Sequence, residues 1–155
     1  MDGRQVNVDH AHTSEYREML ERIERDGVCP FCVDFCQGKP PTYHPNQTLI
    51  ETKWWVVTEN VRKYEGVTHQ LLFVPKIHVI EPWQLPEDAW AELQYVTREV
   101  AQMENLPAGA FMMRFGDTDF TGGSVTHLHA QLVVGVSRKE SAEPLLVYCG
   151  YKKTE

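Results

Sequence analysis

No apolar run in the 155-residue sequence is long enough to span a bilayer, and the opening Met1-Asp2-Gly3-Arg4-Gln5 lacks the apolar core of a signal peptide. The expected protein therefore neither spans nor docks on a membrane, and its expected location is cytoplasmic. Positive charge is in short supply: 15 Lys and Arg stand against 22 Asp and Glu, for a net charge of −7. That balance excludes an extended nucleic-acid groove or an anionic lipid surface as the partner, so a small anion would have to be held locally. Cysteine is also scarce. The four residues Cys29, Cys32, Cys36 and Cys149 do not make a disulfide framework, and in a reducing compartment a C-x-x-C pair points to metal or redox chemistry instead. Repeats and low-complexity tracts are missing as well. What remains is one domain of ordinary composition, long enough to bury a core without staples.

The most informative stretch runs from Gly122 to Val134. Read with the two-residue period of a strand, it puts His127, His129, Gln131 and Val133 on one face and Leu128, Ala130, Leu132 and Val134 on the other. One face is chemical and the other is core. Residues two apart on a strand lie roughly 6 to 7 Å from each other, close enough to share a site while holding different jobs. Gly122-Gly123-Ser124, just upstream, is a turn whose amides and hydroxyl suit anionic oxygens, so a phosphate-handling site centred on histidine is expected. A second reading has both His127 and His129 bound to one metal.

Residues 1–13 carry no periodicity and are expected to form a poorly ordered tail, with the His10-x-His12 pair inert. Thr13 or Ser14 caps a helix whose stripe is Tyr16, Met19, Leu20 and Ile23, and Gly27 ends it. Cys29-Pro30-Phe31-Cys32 has the spacing that turns two thiolates toward one tetrahedral ion, and no long helix follows to support a thioredoxin-type site. Zinc is favoured over redox work, with two further ligands to come from Cys36, His44, His69, His78, His127 and Cys149. Segments 48–51, 54–58 and 70–75 read as strands, the third running into Pro75-Lys76-Ile77-His78. Trp54 and Trp55 either pack in the core or bring one ring to an aromatic pocket. Pro86 opens a helix reaching about Glu104, with Trp90, Leu93, Val96, Val100 and Met103 as its core stripe. Segment 110–115 is the next strand, and the loop from Gly116 to Gly123 lacks the spacing of a calcium site. A charged turn from Ser137 and a short apolar stretch, Leu145 to Tyr148, close the chain. The expected domain covers 14–150, with 151–155 as a second tail.

Taken together, Cys29-x-x-Cys32, the strand ending Pro75-Lys76-Ile77-His78, the long helix and Gly-Gly-Ser-Val-x-His127-x-His129-x-Gln131 resemble the histidine triad (HIT) superfamily over roughly residues 28–135. The resemblance implies an α+β fold with a five-stranded antiparallel sheet and a long helix, here with an N-terminal helical extension, commonly paired as a homodimer. It implies a structural Zn2+ on Cys29, Cys32, His78 and His127. It also implies His129 as the nucleophile toward the α-phosphate of a nucleotide or dinucleotide, with Ser124, Gly123 and Gln131 on the phosphate oxygens. The ribose contact falls near Glu59 or Asn60, and Trp54 or Trp55 becomes a candidate for the base. Many family hydrolases carry a third histidine where this chain has Gln131. The H-x-H-x-Q form resembles the nucleotidyltransferase branch that includes galactose-1-phosphate uridylyltransferase and diadenosine tetraphosphate phosphorylase, since glutamine donates a hydrogen bond without titrating. Arg114 departs from the family pattern, standing where a phosphate-contacting Asn is often found. The alternatives implied are a zinc-stabilised nucleotide-binding module and a metal-dependent hydrolase using both strand histidines.

Overall fold

A computed structural model describes residues 3–11, 13–141, 143–147 and 149–152. Five strands, β1 (Thr48–Glu51), β2 (Trp55–Glu59), β3 (His69–Pro75), β4 (Ala110–Arg114) and β5 (His129–Val134), form one antiparallel sheet in the order β1-β2-β3-β5-β4. Among the described residues, four α-helices accompany it: α1 (Ser14–Asp26), α2 (Pro30–Phe35), α3 (Glu87–Met103) and the short α4 (Thr118–Thr121). The fold is α+β, as expected. Among the described residues no helix is long and apolar enough to cross a membrane.

Facing follows from register, because residues opposite each other on antiparallel strands share a side of the sheet. Phe73 pairs with Ala130 and Val57 with Phe73, and this side packs with Leu71 and Leu132 against Leu93, Val96 and Val100 of α3. Trp55 is fully buried there, its indole N–H donated to the Ala89 carbonyl at 2.7 Å. The buried stripe of α3 is Ala89, Leu93, Val96 and Val100, at intervals of four, three and four. Trp90 and Met103, expected in that stripe, are 40% and 48% exposed: Trp90 lies about 90° round the helix from the seam, and Met103 is the last residue of α3.

The opposite side carries Leu72 paired with Gln131, and Arg114 paired with His129. Its apolar part meets Leu20 and Ile23 of α1 and Phe31 and Phe35 of α2. Helix α1 begins as its sequence dictates: Thr13 Oγ1 accepts the Tyr16 N–H at 3.2 Å, and Gly27 ends it at φ 66°.

The N-terminal segment departs from expectation. Val6 is buried and bridges Val125, while the Asn7 N–H meets the Ser124 carbonyl and the Thr126 N–H meets the Gln5 carbonyl. Residues 5–7 thus lie antiparallel to 124–126 instead of forming a loose tail; one buried valine and a few backbone bonds suffice, and neither leaves a periodic signal. His10 places Nδ1 at 3.0 Å from the Gly123 carbonyl, whereas His12, its partner in the H-x-H pair, lies outside the described residues.

Candidate active site and metal cluster

Two adjacent arrangements meet at the start of β5. The first is a cluster of Cys29, Cys32, His78 and His127, whose ligand atoms all lie within 4.8 Å of one another. Cys29 caps α2 and Cys32 follows one turn later on the same side; His78 follows the end of β3, and His127 precedes β5. His127 Nδ1 is 3.4 Å from Cys29 Sγ and 3.5 Å from Cys32 Sγ, and His78 Nδ1 is 3.3 Å from Cys32 Sγ. Opposite Nδ1, His127 Nε2 donates to the Pro75 carbonyl at 2.9 Å, which fixes the tautomer whose Nδ1 lone pair faces the thiols. Burial pushes His127 down to about 3 and the Cys29 thiol up to about 12. A neutral imidazole and thiols awaiting a compensating cation form a donor set fitted to a metal ion. The other ligands considered are not in that group: Cys36, though beside Cys32, turns its Sγ to the Phe31 carbonyl, His44 and His69 face other groups, and Cys149 is exposed.

His129, two residues on, is not part of that cluster. Its Nδ1–H donates to the His127 carbonyl at 2.9 Å, leaving the Nε2 lone pair for other work. Burial, aided by the Arg114 charge, lowers it to about 4, so the ring is neutral near pH 7. His129 borders a cavity of about 650 Å³ that is also lined by Gln131, Ser124, Arg114, Asn60 and Phe31.

The orientation of Gln131 follows from a chain of forced choices. The Tyr64 backbone N–H can only donate, and it meets Gln70 Oε1 at 2.6 Å. The Gln70 amide nitrogen must then be the atom 2.8 Å from Gln131 Oε1. Gln131 is left with its own NH2, which has no acceptor among the described residues, as a donor beside His129. Ser124 is held similarly: its hydroxyl bonds the Tyr16 phenol, whose pKa burial raises, and the Arg62 guanidinium lies 4.3 Å over the Tyr16 ring. Arg62 Nε is buried without a partner, and Arg114 reaches the Thr121 carbonyl at 3.1 Å.

Three expectations need correction. Trp55 does not border the cavity; it belongs to the α3 side of β2. Glu59 shares that side and forms an ion pair with Lys63 at 2.9 Å, so Asn60, one residue on, reaches the cavity instead. The Gly123 N–H is not an open anion site, since Thr121 Oγ1 accepts it at 3.3 Å. At the C-terminus, Gly150 lies so close to the α4 end that a Cβ on it would come within 1.8 Å of the Thr121 carbonyl oxygen. Tyr151 and Lys152, expected in a tail, thereby border the cavity; 153–155 lie outside the described residues. Tyr16, His44, Arg62 and Gln70 were not expected at this site. Only their polarity at otherwise apolar positions of α1 and β3 hinted at it for Tyr16 and Gln70.

No protein-family model and no curated protein matches this sequence. Solved structures do. A HIT family hydrolase from Clostridium thermocellum superposes with a TM-score of 0.55 at 18% identity, covering 68% of this chain and 89% of that one. A HIT family hydrolase from Legionella pneumophila gives 0.55 at 23% identity, covering 71% and 95%. This chain has the histidine-triad fold. A hypothetical histidine triad nucleotide-binding protein from Sulfolobus tokodaii is similar too, with a TM-score of 0.52 at 19% identity over 69% of this chain and 68% of that one. This fold places the two chemical arrangements side by side at one end of the interior strands β3 and β5, where a neutral imidazole can attack an electrophile held by amide, hydroxyl and guanidinium donors.

Proposed function

We propose that this chain is a nucleotide-processing enzyme in which His129 Nε2 attacks the α-phosphorus of a nucleotide. The N–P bond forms as the bond to the leaving group breaks, giving a nucleotidyl-histidine that water, phosphate or a phosphorylated acceptor then resolves. The observation that carries this reading is the His129 Nδ1–H bond to the His127 carbonyl, which frees Nε2 toward the cavity and stabilises the positive ring of the intermediate. The Gln131 NH2 and the Ser124 hydroxyl would donate to the non-bridging oxygens, Arg114 would offset their charge, and Asn60 would meet the ribose. The names of the similar solved proteins, hydrolase and nucleotide-binding, support nucleotide chemistry here.

Gln131 holds the intermediate without supplying a proton, which favours leaving groups and acceptors that need none, such as phosphates, and so the nucleotidyl-transfer variant. Cys29, Cys32, His78 and His127 would hold Zn2+; four protein donors leave no open position, so its role is structural. Hydrolysis with one metal on both strand histidines fits less well, because His129 stands apart from the four-ligand group. The edge strand β4, with Phe111 42% exposed, supports pairing of two copies as a homodimer.

The test is turnover of dinucleoside polyphosphates, nucleoside phosphoramidates and nucleotide sugars by the protein and by His129→Ala. Loss of about 10³-fold or more on whichever substrate is turned over is expected. Full retention by the variant would sink the nucleophile assignment. Tight AMP binding with no turnover of any substrate would favour the binding-module alternative.

A further inference from the structure

Three imidazoles lie against the Phe31 ring: His129 and His127 edge-on at 5.3 and 5.7 Å between centroids, and His44 tilted at 4.9 Å. The reaction above makes no use of His44. His44 lies in the loop between α2 and β1, which is organised by the buried Asp34 carboxylate. That carboxylate accepts the backbone N–H groups of Thr42, Tyr43 and His44 at 2.7, 2.9 and 2.7 Å, and faces His44 Nδ1 at 3.3 Å. Three backbone N–H donors and a facing imidazole leave this carboxylate fully engaged as an acceptor and fix the place of the loop. The carboxylate oxygen accepts the Nδ1–H, and the tautomer it selects presents Nε2 as an acceptor. Nε2 has no partner among the described residues, although the side chain is only 12% exposed and borders the same cavity as His129.

The cavity holds both kinds of partner a nucleotide needs. Its lining carries amide, hydroxyl and guanidinium donors in Gln131, Ser124 and Arg114, suited to phosphate, together with the apolar side chains of Phe31, Leu72 and Met19. A planar base belongs against the Phe31 ring, where its edge meets the His44 ring tilted beside it.

We propose that His44, oriented by Asp34, reads the nucleobase: its Nε2 accepts an N–H from an exocyclic amine and so selects an amino base such as adenine over the keto base hypoxanthine. This inference rests on the nucleotide reading above. A keto oxygen in the same place would set one lone pair against another in a site from which water is excluded, which costs more than a merely missing bond.

The experiment is calorimetric titration of the zinc-loaded full chain with AMP, IMP and ribose 5-phosphate, repeated with His44→Phe. AMP is expected to bind at least about tenfold more tightly than IMP, and His44→Phe to weaken AMP by about tenfold, to bring the two nucleotides level and to leave ribose 5-phosphate unmoved. Phenylalanine keeps a ring between Phe31 and Phe35, and Asp34 keeps its three amides, so the variant is expected to fold. Should it not, the AMP to IMP ratio of the unmodified protein decides alone. Equal affinities in that protein, an IMP preference, or a ratio that survives His44→Phe would overturn the base-reading role while leaving nucleotide binding intact. Failure of all three ligands to bind would overturn the nucleotide reading itself, and this inference with it.

Discussion

Replacing Gln70 by methionine should slow the chemistry although both polar side-chain atoms of Gln70 are engaged by protein partners. The side chain is 1% exposed and spans two bonds, from the Tyr64 N–H and to Gln131 Oε1. Methionine matches its length and volume but can neither accept the first nor donate the second. The bond from the Tyr64 backbone N–H to Gln70 Oε1 is lost, and losing such a buried bond costs about 1–3 kcal/mol. Gln131 fares differently, since its amide can turn and carry Oε1 toward the cavity. In the unmodified protein it presents its NH2 there; in Gln70→Met it divides its time between NH2 and an oxygen that repels phosphate. Removing a transition-state donor outright costs about 10²–10³ in rate, so Gln131→Leu should fall in that range and Gln70→Met, which only disorders the donor, should lose about tenfold. The assay is single-turnover formation of the nucleotidyl adduct, with urea unfolding alongside to separate stability from rate. The double variant should be no slower than Gln131→Leu, because Gln70 acts on rate only through Gln131. Fully additive losses, or a Gln70→Met protein that is destabilised but reacts at the parent rate, would refute the forced-orientation argument.

Tyr16→Phe removes the phenol that holds the Ser124 hydroxyl; kcat should fall by about tenfold with KM little changed, as for loss of an interaction made mainly in the transition state. Asp34→Asn should destabilise by about 1–3 kcal/mol at pH 7. Because the folded Asp34 pKa is lowered, its contribution is complete above the unfolded carboxylate value of about 3.9 and is lost as pH falls through the lower folded value. The gap between the two urea midpoints should therefore close in acid, and a gap independent of pH would contradict the assignment. Chelation of the metal should unfold the chain, seen as loss of near-ultraviolet dichroism together with activity; activity lost at once while the fold persists would instead mark a catalytic ion.

The two-residue period of 127–133 was enough to put His129 and Gln131 on one face, because β5 neighbours alternate between chemistry and core. The same reasoning failed on β2. Trp55, Val56, Val57 and Thr58 are all buried, since α3 covers one side and α1 with α2 the other, so hydrophobicity shows no alternation there. Nothing local could then tell that Trp55 and Glu59 face the helix and that Asn60 faces the cavity. The C-x-x-C spacing brought Cys29 and Cys32 together directly, whereas His78 and His127 could be grouped with them only through the resemblance, because their meeting depends on the pairing of β3 with β5. Val6 and the Gly150 strap were illegible for a related reason. Each is fixed by backbone bonds or close approach to residues more than a hundred, or nearly thirty, positions away, and such contacts leave no pattern in the segment itself.

The nucleophile can be examined directly by intact-protein and peptide mass spectrometry after rapid acid-free quenching of the protein with a panel of nucleotides. A mass increase equal to a nucleoside monophosphoryl group, borne by the peptide containing His129 and lost in His129→Ala, is the result expected from a free Nε2 beside a separately committed His127. An adduct that survives in His129→Ala, or substrate turnover with no adduct on His129 at any time point, would contradict it.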